Sequence, residues 1–121
     1  MTEVAKALKG FFSGYGLPAY STDSVPDDVE LPYITYSLAE PEWDRKSNMY
    51  AQVWDVSRSN TFILSKADEI VADIGTGIRL KLNGGYLVIW LESPKVQVIV
   101  DGDTRSAYIN LSVNAYHMPG V

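Results

Sequence analysis

The stretch 107-AYINLSVNAY-116 decides the fold class. Ile109, Leu111, Val113 and Ala115 alternate with Tyr108, Asn110, Ser112, Asn114 and Tyr116. Side chains on a β-strand point alternately to its two faces, so this strand has one apolar face and one polar, aromatic face. Such alternation marks an antiparallel sheet with one face on a core.

Working outward, Asp101-Gly102-Asp103 reads as a connecting turn, and Val96–Val100 (VQVIV) before it as another strand. Pro94 is expected to break the chain between that strand and Tyr86–Leu91. Asn83-Gly84-Gly85 supplies the positive φ of a tight turn. Ahead of it Ile78, Leu80 and Leu82 alternate with Arg79 and Lys81.

Two stretches have helical spacing. Val4, Leu8, Phe11 and Phe12 form one stripe, ended by Gly14, Gly16 and Pro18. Ile63, Ala67, Ile70, Val71 and Ile74 form the second. Ser59 or Asn60 can cap it, and Gly75 and Gly77 stop it.

Between the helices lies 31-LPYITYSL-38. Ile34 and Thr35 are β-branched and Tyr33 and Tyr36 aromatic, which predicts a strand. Residues 17–30, including DSVPDDVE, read as an irregular acidic connection. Ala39–Tyr50 (AEPEWDRKSNMY) reads as a long loop, and Tyr50–Val56 alternates as a second strand. The pair is expected to be antiparallel. The predicted order is α-β-β-α-β-β-β-β: an α+β fold, a mainly antiparallel sheet with two helices on one face, in a single domain over residues 1–121.

Composition narrows the function. The 121 residues carry 10 Lys and Arg against 15 Asp and Glu, a formal charge of −5 with no basic run beyond Arg45-Lys46. Nucleic-acid affinity rests on cationic side chains neutralising phosphates, so a DNA binder is disfavoured. Cysteine is absent, which excludes disulfides and thiolate-bound metals. The first residues, MTEVAKALKGFF, lack the continuous apolar core of a signal peptide. No run approaches a membrane span, and a soluble protein made in the cytoplasm is expected.

No catalytic constellation stands out. His117 is the single histidine, too few for a histidine metal site. Asp101-Gly102-Asp103 lacks the later acids of a calcium loop. Gly75, Gly77, Gly84 and Gly85 do not form a phosphate cradle, because Gly77 opens a strand rather than a helix. The expectation is a protein that is not an enzyme and uses no cofactor. Trp43 stands apart: it lies in the charged WDRK segment with no periodicity to place it in a core. Aromatic residues and arginine are enriched at protein interfaces, so Trp43, Asp44, Arg45 and Lys46 are candidate partner contacts.

The layout LPYITYSL, then VWDVSRS, then the helix ILSKADEIVADI, then AYINLSVNAY, resembles the small tail-terminator and tail-completion proteins of tailed bacteriophages, over about residues 3–117. The resemblance implies a homo-oligomeric ring, usually of six copies, at the head-proximal end of the tail in the virion. Such a ring caps the tail tube, ends its polymerisation and offers a joining surface to the head–tail neck protein. DNA passes through it without specific binding, and no membrane is involved. The alternatives are a tail tube or neck protein, or a small ligand-binding α+β domain. In a ring, the far side of LPYITYSL is expected to pair with a neighbouring subunit, with Tyr33 and Tyr36 at the contact. The acidic balance suits a bore that repels phosphate, with Asp23, Asp27, Asp28, Glu30, Asp101 and Asp103 as the loop acids available to line it.

Overall fold

A computed structural model describes residues 2–37, 44–56 and 59–117. The elements are α1 (Thr2–Phe12), β1 (Ala19–Ser21), β2 (Tyr33–Tyr36), β3 (Lys46–Asp55), α2 (Thr61–Ile74), β4 (Ile78–Leu82), β5 (Gly85–Asp101) and β6 (Thr104–His117). They form one 6-stranded sheet in the order β1-β2-β3-β6-β5-β4. All neighbours are antiparallel except β1 and β2.

The alternation of 107–116 is realised on β6, a central strand. Ile109 faces Ala51 of β3, Leu111 faces Met49, and Val113 faces Ile89 of β5. These side chains are buried with Val4, Leu8 and Phe12 of α1 and Ile63, Ala67, Ile70 and Ile74 of α2 in one core. Both predicted helical stripes therefore cover the same sheet face. Phe12 stacks on Tyr36 of β2, ring centroids 5.0 Å apart, which pins α1 over the β2 side. Burial of side chains this size contributes about 1.5–3 kcal/mol each.

Helix ends follow local chemistry. The Ser59 hydroxyl, one residue ahead of the N-cap Asn60, accepts from the Thr61 amide at 3.1 Å and so satisfies the first amide of α2. The Asn60 side chain turns instead to accept from Arg105 of β6 at 2.8 Å. Beyond α1, Tyr15 donates its hydroxyl to Asp73 of α2 at 2.8 Å, and Lys66 donates to the Tyr15 carbonyl at 2.9 Å. The end of one helix is thereby fastened to the flank of the other. Gly77, at φ 141°, carries the chain from α2 into β4 beneath the Trp90 indole.

The predicted strand order needs two corrections. Ala19–Ser21, read as part of an irregular connection, forms β1 and pairs parallel with β2, Ala19 beside Ile34 and Ser21 beside Tyr36. Tyr86–Leu91 and Val96–Val100, read as two strands, are one strand with a bulge between Leu91 and Val96. Pro94 does not end it. The proline sits in the bulge on a stretch that β4 no longer covers, where its missing N–H costs no ladder bond. The observed order is thus α-β-β-β-α-β-β-β.

Candidate functional site

The helices leave the opposite face of the sheet bare among the described residues. That face is built by the other half of each alternation. β3 contributes Lys46, Asn48, Tyr50, Gln52 and Trp54; β6 contributes Ser106, Tyr108, Asn110, Ser112, Asn114 and Tyr116. Strand β5 adds Tyr86 and Trp90, β2 adds Tyr33, and β1 adds Tyr20. Every tyrosine and tryptophan in this set is half-buried. Aromatic rings carry the face, each partly covered by its neighbours and partly exposed.

The rings are held in pairs across strands. Tyr50 and Tyr108 stack with centroids 4.9 Å apart and planes 18° from parallel. Tyr86 and Tyr116 stack at 5.4 Å, with the Arg79 guanidinium 4.5 Å above the Tyr86 ring. Tyr20 and Tyr33 meet edge to face at 6.0 Å, and the Lys9 ammonium lies 4.8 Å from the Tyr20 ring. Trp54 donates its indole N–H to the Thr35 hydroxyl at 2.9 Å. These contacts fix the rotamers, so little side-chain entropy remains to be lost when the face is covered.

A cleft of about 460 Å³ opens on this face beside the β5 bulge. Tyr50, Tyr108, Asn48, Asn110, Glu92 and Ser37 line it. Its rim is stitched by β6. Ser112 donates to Glu92 at 2.8 Å, and the Asn110 amide donates to the Pro94 carbonyl at 2.6 Å and to Gln97 at 3.2 Å. Lys46 pairs with Glu92 at 3.0 Å. The lysine, and then the serine, hold the Glu92 carboxyl below the usual carboxylate range. Burial, and then its neighbour Tyr50, push the Tyr108 phenol up. At the far end of the face the Asn114 side-chain oxygen Oδ1 is buried without a hydrogen-bond partner among the described residues. No group of three metal-ligating side chains occurs among the described residues. Among the described residues no helix is long and apolar enough to cross a membrane.

The sequence-predicted contacts distribute unevenly. Trp43 lies outside the described residues. Asp44 and Arg45 are exposed at the entry to β3, and the Asp44 carboxylate lies 3.3 Å from His117. Lys46 opens β3 on the aromatic face and is engaged by Glu92. Tyr33 belongs to the aromatic face. Tyr36 does not serve as a contact: it points to the helix side, is 3% exposed and is covered by Phe12. The far edge of β2 is likewise not open to a neighbour, because β1 of the same chain occupies it. Reading the residues one by one missed Tyr50, Tyr86, Tyr108 and Tyr116 as a set. Their signal was parity, since each occupies the outward phase of its strand.

No family model matches the chain. No curated protein matches it either. A solved structure of a protein known by a sequence identifier alone is similar over 98% of this chain and 94% of its own, with TM-score 0.64 and 13% identity. At that identity the likeness establishes the shared fold and nothing further.

Proposed function

We propose that this chain is a structural subunit of the tail-terminator type, assembling into a ring that caps a bacteriophage tail tube and meets the neck protein. The observation that carries the reading is the helix-free sheet face, with its pre-ordered aromatic side chains. The stacked rings stabilise the monomer, and their exposed portions match assembly surfaces, which are enriched in tyrosine and tryptophan. The resemblance of LPYITYSL, VWDVSRS and AYINLSVNAY to tail-terminator sequences supports the same reading. Asp23, Asp27, Asp28, Glu30, Asp101 and Asp103 are all exposed, as acids near a DNA conduit would be. Trp43 and Arg45 belong to the proposed contact with the tube or with a neighbouring copy.

Negative-stain microscopy of the concentrated protein tests the proposal. Annular particles with a central hole are expected. Long rods would assign the chain to the tube instead, and compact particles without a hole at every concentration would overturn the ring.

A further inference from the structure

We propose that the outer edge of β5, from Lys95 to Asp101, pairs antiparallel with the same edge of a second copy, about a two-fold axis through Val98. The two flanks of the sheet are treated differently. At one flank β1 is only 3 residues long. Its Pro18 carbonyl bonds the Ile34 amide at 2.8 Å, so the Ala19 carbonyl faces away from the sheet, and there the Lys9 ammonium donates to it. A short strand with a lysine on its outward carbonyl is a blunted edge. At the other flank β4 covers β5 only as far as Ile89. Past the bulge, Val96 to Val100 form an edge strand with no charge of their own. Val98, Ile99 and Val100 are 38%, 41% and 56% exposed, three consecutive members of the short set of exposed large apolar side chains.

The polar groups of that edge are also oriented outward. Asp101 and Thr104 face each other across the two-residue turn Gly102-Asp103, so they exchange both backbone hydrogen bonds. By alternation Ile99 does the same with Ser106, and Gln97 with Tyr108. Val96, Val98 and Val100 are left with N–H and C=O groups directed away from β6. Such an exposed row is a ready template for a strand of another chain, which would replace the water on it and cover the valines.

The ends of the segment identify that strand as a second copy. In a two-fold pairing centred on Val98, Val98 faces its twin, Val96 faces Val100 and Gln97 faces Ile99. Lys95 of one copy then faces Asp101 of the other, at both ends. Lys95 and Asp101 are exposed and have no ion-pair partner among the described residues. The segment is complementary to itself in apolar surface, backbone groups and charge. A two-fold contact cannot be the side-to-side contact of a closed ring, so this inference does not depend on the ring: it joins two free copies, or two rings edge to edge.

The test is sedimentation of the full chain at low salt, for the wild type, Lys95→Asp, Asp101→Lys and an equimolar mixture of the two variants. The wild type is expected to form dimers. Each variant alone places like charges opposite each other at both ends and should dimerise about tenfold more weakly or worse. In the mixture, every end again carries opposite charges, and dimers should return as heterodimers. Recovery in the mixture also shows that both variants fold. A wild type that remains monomeric, variants that associate as the wild type does, or a mixture that stays monomeric would each overturn the proposal. Annular particles that persist in either variant leave the ring reading standing whatever the edge does.

Discussion

Tyr50 and Tyr108 stack across β3 and β6, centroids 4.9 Å apart, on the sheet face that no helix among the described residues covers. The pair ties the two central strands and presents one continuous aromatic surface beside the cleft. A stacked pair of this kind contributes about 0.5–1.5 kcal/mol beyond its burial. The expected coupling between Tyr50→Ala and Tyr108→Ala in a urea-unfolding double-mutant cycle is of that size. Both variants should retain the fold and lose assembly; assembly unchanged in the double variant would separate the stack from the interface.

Core substitutions on the opposite face should behave differently. Phe12 and Ile70 are fully buried. Phe12→Ala should cost about 3–5 kcal/mol and Ile70→Ala about 2–5 kcal/mol, through lost burial and the cavity left behind. Urea denaturation measures both. A wild-type midpoint in either would mean that the helix in question does not pack on the sheet.

Much of this was legible in the alternation and helical spacing. Ile109, Leu111, Val113 and Ala115 marked the core face of the central strand, and Val4, Leu8 and Phe12 marked the face of α1. The expectation for Tyr36 rests on its aromatic character, whereas its parity places it: it shares the phase of Ile34, and that phase is the core. Strand β1 was missed because Ala19-Tyr20-Ser21 is too short to show a period. Pro94 reads as a breaker in the sequence because an edge position cannot be recognised before the neighbours of a strand are known. Residues 46–49, read as loop for their polar character, extend β3 because Lys46 and Asn48 take its outward phase while Met49 takes the buried one. The aromatic face emerges only when five strands are placed in register, which no single segment encodes.

Gly77 offers a local test of the α2–β4 connection. Its φ is 141°, and a Cβ there would lie 3.1 Å from Trp90 Cδ1. Gly77→Ala should destabilise the protein by about 1–3 kcal/mol through backbone strain and displacement of the indole. Gly14 has no atom within 4 Å of its added Cβ and needs no positive φ, so Gly14→Ala should be close to neutral. Thermal melts of the two variants, with Trp fluorescence as a second readout, distinguish them. Equal melting temperatures would contradict the close approach.

The pH dependence has a defined sign at each end. Burial, then the hydrogen bond to Asp73, raise the Tyr15 phenol well above its ordinary value. The fold favours the neutral phenol. Stability from this group is therefore complete below about pH 10 and falls as the unfolded chain ionises above it. Burial raises Tyr36 as well, and it adds to the same loss. Melting temperature should decline above pH 10, and Tyr15→Phe should show a shallower decline from a lower neutral-pH value. At the acid end Glu92 is shifted down, so its contribution is present above the ordinary carboxylate range and lost as pH falls below it. Lys46→Met should remove the larger share of that acid dependence and leave the share of the Ser112 hydrogen bond. A variant with the wild-type profile at both ends would show that these contacts do not persist in solution.

The central claim is that the helix-free aromatic face is the assembly surface. Hydroxyl-radical footprinting of dilute and assembled protein, read residue by residue by mass spectrometry, tests it most directly. Tyr50, Tyr108, Tyr86, Tyr116 and Trp90 are half-buried in the monomer and should lose most of their remaining reactivity on assembly, while exposed Phe62 on α2 keeps its own. Unchanged reactivity at those five aromatics in fully assembled particles would contradict the account.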